Sequence, residues 1–286
     1  MTLKNNTKQN IAITSLIAAI VITSGIGIAY AVPVAIFDAL GNSIRGSLSV
    51  GQTEGANVNQ ITGVNSGAFG TGVEVQGDNS FGFGEFHFVL TDNGFTAGLG
   101  NSVSDQGAVA FGTSNSAAGR DSFAVGSGNL AVGDQSTAMG ADNNSPGVKS
   151  FALGNLVTSQ AFDSFIVGQC NELGTFNEIA WDTTDPLFIV GNGLASPVNP
   201  SQCDTRDNTF TIFKNGDIAV GKTNANSALD VNGYVELDIV NGAPPNEDCN
   251  ANNERGRMKV SATDDILWVC VQDGWRVAQL LIVNND

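Results

Sequence analysis

The chain has 286 residues, and its 12 basic and 28 acidic side chains give a formal net charge of −16. That balance argues against nucleic-acid binding, which needs clustered Lys and Arg, and a single histidine, His87, leaves no His pair for zinc and little for acid–base catalysis. An apolar content of 42% with 16 Phe is too high for a disordered chain, so the expectation is an exported globular protein that is not an enzyme and holds no cofactor or metal.

Residues 1–31 read as a targeting segment. Lys4 and Lys8 precede an apolar run from Ile11 to Ala31, and Ala29-Tyr30-Ala31 has the small-x-small form of a cleavage site. The segment is a signal peptide or an uncleaved N-terminal anchor, since the run is long enough to cross a bilayer. Either way the protein is expected outside the cell or at its surface, with membrane contact only through this segment. The far terminus, Leu281-Ile282-Val283-Asn284-Asn285-Asp286, is polar and lacks the terminal aromatic of an outer-membrane strand. Residues 32–62 are expected to form an N-terminal cap.

From Gly63 to Gly168 a step of seven residues meets sixteen positions, and thirteen of them are Gly. Only Thr91, Asp105 and Ala161 interrupt the series. The flanking residues show a longer period of fourteen: Ser122-Phe123-Ala124-Val125-Gly126 is followed by Ser136-Thr137-Ala138-Met139-Gly140 and Ser150-Phe151-Ala152-Leu153-Gly154. Within each copy, large apolar residues alternate with Ala or Ser, which is the period of a strand. The expectation is an all-β fold, a parallel β-solenoid whose fourteen-residue coils each hold two strands and two turns. Gly70, Gly84, Gly112, Gly126, Gly140, Gly154 and Gly168 are assigned to turns, where positive φ costs glycine nothing. A coiled-coil heptad is excluded by the glycines, and leucine-rich and calcium-binding nonapeptide solenoids by their periods.

Such a coil encloses few side chains. The Phe123 and Val125 type of residue can fill it, which leaves Ala110, Ala124, Ala138 and Ala152 as a small-residue face. That face is expected to pack against sister chains in a closed oligomer, although which face points inward is open at this level.

The Ser-x-Ala-x-Gly copies at fourteen-residue spacing resemble the head repeats of the YadA-like trimeric autotransporter adhesins over residues 63–170. The resemblance implies a left-handed β-roll, a homotrimer, and adhesion to cell, matrix or glycan surfaces. The family's membrane-anchor barrel and coiled-coil stalk are not found. Residues 171–240 contain short β-runs ending in Gly, such as Leu187–Gly193 and Asn208–Gly216. They resemble the segments that follow such heads in secreted fibres.

Four cysteines allow three connectivities. Sequential pairing is favoured because Cys170 with Cys203, and Cys249 with Cys270, each bracket one local module, and each bond would contribute about 3 kcal/mol. Residues 241–286 read as a small Cys/Trp module opened by the linker around Pro244-Pro245. Trp275 is either its core or an aromatic that stacks on a glycan. Asn143-Asn144-Ser145 is a glycosylation sequon, His87 a surface or turn residue, and the acidic side chains a solvated surface with weak calcium binding as a minor alternative. The expected function is a multivalent surface adhesin or fibre component. The competing reading is a structural subunit of an extracellular filament or surface layer.

Overall fold

A computed structural model describes residues 47–51, 57–237, 239–263 and 266–278. The targeting segment, much of the N-terminal cap and the polar C-terminal tail lie outside the described residues. Two compact units divide between Asp230 and Val231.

The first unit is a parallel β-solenoid. Eight five-residue strands run from Gly67–Thr71 through Phe123–Ser127 to Phe165–Gln169, and each pairs with the next at a register of fourteen residues, as in Phe123↔Thr137 and Gly126↔Gly140. Two-residue strands, from Gln60–Ile61 to Asn144–Ser145, stack in the same way as a second, seven-stranded sheet. Each coil is therefore a long strand, a corner, a short strand and a corner.

The corners sit two residues after each heptad position, not on it. Asn79, Asn93, Gly107, Asp121, Gln135, Lys149 and Asp163 hold one left-handed corner at steps of fourteen, while Phe86, Gly100, Ser114, Gly128, Asp142, Leu156 and Cys170 hold the other. The glycines assigned to turns lie instead in the fourth place of the long strands. Their requirement is different and stricter. Gly126 has φ +119°, and a Cβ there would stand 2.0 Å from the carbonyl oxygen of Gly140 in the next coil. The alternate glycines serve the same purpose without positive φ: a Cβ on Gly133 would stand 2.2 Å from the Gly147 carbonyl oxygen. The sevenfold period records two places per coil where successive turns of backbone come too close for a side chain.

The interior decides between the two faces that the sequence left open, and makes the alanines the core face. Ala110, Ala124, Ala138 and Ala152 are 0% exposed and point into the coil, opposite Val89, Val103, Ala117 and Ala131 of the short strands. The two sheets lie so close that only small or β-branched side chains fit between them. The alanines therefore fill their own coil and offer no surface to a sister chain, and the Phe face is the one that points outward.

The remaining interior is polar. Asn101, Asn115, Asn129 and Asn143 are buried at steps of fourteen, just past one corner. Asn115 Nδ2 donates to the carbonyls of Phe111 at 2.8 Å and Gly126 at 2.9 Å, and its Oδ1 accepts the backbone N–H of Asn129 at 3.0 Å. Asn129 Nδ2 also donates to Asn115 Oδ1 at 3.0 Å, so the amides form a continuous ladder. Each one satisfies corner groups that the two sheets cannot pair.

His87 stands in this ladder, buried, and is not a surface residue. Its Nε2 lies 2.9 Å from the Phe83 carbonyl and 3.0 Å from that of Gly98, while Nδ1 accepts the Asn101 N–H at 3.2 Å. These contacts fix the Nε2-protonated tautomer and reproduce what an asparagine does at the same register.

The coil stack ends by changing strand direction. Pro186–Asn192 still runs parallel to Phe165–Gln169, but after a longer insertion that shifts the register to Phe165↔Phe188. Asn208–Phe213 and Ile218–Val220 then follow antiparallel. Cys170, on the last left-handed corner, bonds to Cys203 and pins the loop that joins Pro186–Asn192 to Asn208–Phe213.

The second unit is a four-stranded sheet of Ile239–Val240, Met258–Ser261, Leu267–Val271 and Gly274–Ala278. The Cys249–Cys270 disulfide and Trp275 form its core, with Trp268 packed against them.

Three substitutions test this packing. Gly126→Ala is expected to cost more than about 4 kcal/mol in denaturant unfolding, because strain and backbone overlap combine. His87→Asn is expected to change stability by less than about 1 kcal/mol. His87→Leu, which leaves two carbonyls and one N–H unpaired, should cost about 3 kcal/mol on the same measurement.

Candidate interaction surface

Strand alternation sets the outer face of the long sheet. With Ala turned inward, the residues one and three before each strand glycine point out, and eight of these sixteen positions are Phe. Phe83 is 38% exposed, and Phe95, Phe111 and Phe123 are partly buried beside one another. The rings form a ladder along the sheet. Phe69 and Phe83 stack at 4.6 Å between centroids, Phe83 and Phe95 lie 5.5 Å apart, and Phe95 and Phe111 lie 5.2 Å apart. Thr137 and Met139 interrupt the rings, which resume from Phe151 and Phe165 at 5.0 Å to Phe188 and Phe210 at 6.3 Å. Each pair contributes about 1 kcal/mol beyond area burial. The stripe continues from the coils into the antiparallel end.

Charge is kept off this stripe and concentrated at a corner. Asp78 Oδ1 accepts the Val64 N–H at 2.6 Å, and Asp92 Oδ1 accepts that of Asp78 at 2.8 Å. Asp134 Oδ1 accepts the Arg120 N–H at 3.1 Å and its Oδ2 lies 3.4 Å from the guanidinium. These carboxylates carry the corner from one coil to the next, in addition to facing water. Among the described residues no group of three acidic, His or Cys side chains converges as a metal site.

Other residues singled out in the sequence fall elsewhere. Asn143 is buried with its amide committed to the Met139 and Gly154 carbonyls, and Ser145 is buried as well, so the folded sequon offers no acceptor nitrogen. Trp275 is 7% exposed and its Nε1 donates to the Pro245 carbonyl at 2.9 Å. A ring packed on a disulfide has no free face for a sugar, which leaves the core role. The Phe stripe, whose direction the sequence left open, is the outward surface. Asn101, Asn115, Asn129 and Asn143 at steps of fourteen were the available signal, since amides repeated at one register take up interior space beside a corner.

Coils of fixed length, glycines at every seventh place and a small-residue interior define a repeat β-solenoid head. The family model described as the YadA head domain repeat matches the chain in two copies, at residues 106–129 and 131–156. The chain carries YadA head repeats over this part of the solenoid. A comparison with curated proteins finds no match. Among the described residues no helix is long and apolar enough to cross a membrane.

Trp275→Ala is expected to destabilise the second unit by about 4 kcal/mol, the cost of emptying an aromatic core site. Its own unfolding transition, followed by tryptophan fluorescence, is the measurement.

Proposed function

We propose that the protein is an exported surface adhesin or fibre component in which three identical chains pack their Phe stripes together and present the remaining coil surface in triplicate. The observation that carries this reading is the aromatic ladder. A partly exposed aromatic stripe that runs along the sheet with one break at Thr137 and Met139 is an apolar surface of the kind that marks an interface, and it lies on a head type found in adhesin-like surface fibres. Trimerisation would bury the stripe about a threefold axis and set the acidic corners outward, where they keep assembled heads apart. Binding to cell, matrix or glycan surfaces then follows from multivalency, because linked weak contacts raise avidity by about 10²- to 10⁴-fold without any tighter single contact.

The test is a double substitution, Phe83→Asp with Phe111→Asp. Both side chains point out of the coil, so the solenoid itself should survive, as judged by its circular dichroism. Light scattering should report trimers for the natural chain and monomers for the variant, and binding to matrix-coated surfaces should fall by at least about 100-fold. Trimers that persist in the variant would remove the stripe from the interface. Filaments that form at neutral pH without surface binding would favour a purely structural subunit.

A further inference from the structure

One buried group serves neither the coil nor the stripe. Lys214 lies in the turn after Asn208–Phe213, its side chain is 0% exposed, and its Nζ has no hydrogen-bond partner. Asp185 faces it with a side chain only 6% exposed, but Oδ2 stands 3.9 Å from Nζ, too far for a hydrogen bond. The walls around the amine are aromatic, with the ring centre of Trp181 at 5.0 Å and that of Phe162 at 5.9 Å. An ammonium ion held out of water with no hydrogen bond is an unfavourable resting state. Burial pushes the Lys214 amine below its ordinary range, against the opposing pull of Asp185, Asp163 and Asp182.

The backbone holds the two groups together before any reaction. Lys214 N–H donates to the Asp185 carbonyl at 3.0 Å, and the adjoining residues Pro186 and Phe213 are paired across the antiparallel strands. Asp185 Oδ2 accepts the Asn177 N–H at 2.9 Å, which fixes the carboxyl group's orientation. Two reacting groups held this way act at a very high effective concentration.

We propose that Lys214 and Asp185 condense to an intramolecular amide that closes the end of the coil stack covalently. A proton first passes from Nζ to a carboxylate oxygen of Asp185, which frees the Nζ lone pair and makes that oxygen a leaving group. The Nζ lone pair attacks Cγ, so that an Nζ–Cγ bond forms and one Cγ–O bond breaks. The departing oxygen takes the acid proton and one amine proton and leaves as water. No oxidant, reductant or further reactant is needed. The product replaces two desolvated ions with a neutral amide. Together with Cys170–Cys203 it makes two covalent ties across the antiparallel end.

The test is peptide mapping of the full chain by tandem mass spectrometry after reduction. The expected result is a branched peptide joining the segments that contain residues 185 and 214, lighter than the two linear peptides by one water. The branch should be absent from Lys214→Arg and from Asp185→Ala. Should either variant fail to fold, the digest of the natural chain still decides. Only linear peptides there, with the Lys214 amine open to acylation in the denatured chain, would overturn the proposal, as would a branch that survives either substitution.

Discussion

The narrowness of the coil governs the rest of the molecule. Two sheets close enough to be filled by Ala on one side and Val or Ala on the other leave no room between them for phenyl rings. Every Phe of the long strands must therefore turn outward. A single chain gains little from burying alanines, since each removes only a small apolar area from water. The coil is held largely by repetition. The same register recurs in each step, so ladder hydrogen bonds, stacked Asn amides and neighbouring rings align along one direction.

The same geometry explains where the chain tolerates change. A residue in the Asn ladder must supply a donor toward two carbonyls and an acceptor toward the next N–H. Histidine meets that requirement at position 87 because its two ring nitrogens lie in the places of an amide's nitrogen and oxygen. Val73 and Val157 interrupt the ladder of side chains, and each donates its backbone N–H to the preceding Asn Oδ1, at 3.0 and 2.8 Å. At the strand glycines no comparable substitution exists, because the obstacle is backbone from the next coil and not a side chain that could move.

A parallel solenoid has open ends, and an exposed strand edge invites pairing with other chains. The C-terminal end is managed by reversing strand direction and by the Cys170–Cys203 bond, which removes freedom from the loop beyond the last corner. The outward stripe continues across this change of direction, from Phe165 to Phe188 and Phe210. An assembly built on the stripe would extend past the coils into the end structure.

The sequence by itself determined the period, the strands and the parallel register, and it favoured the sequential pairing of the cysteines that the structure shows. These depend on local alternation and on glycine spacing, both of which are written along one dimension. It misplaced the corners by two residues, because it could not distinguish a glycine needed for a turn from one needed for close backbone approach. Tertiary structure alone decided which face of the strand is inside. Alternation marks two faces and is silent on their direction, and only the separation of the two sheets, set by the corners and their Asn ladder, admits Ala and turns Phe out. The same reason hid His87 and Asn143 from a linear reading: their burial comes from the coil above and the coil below.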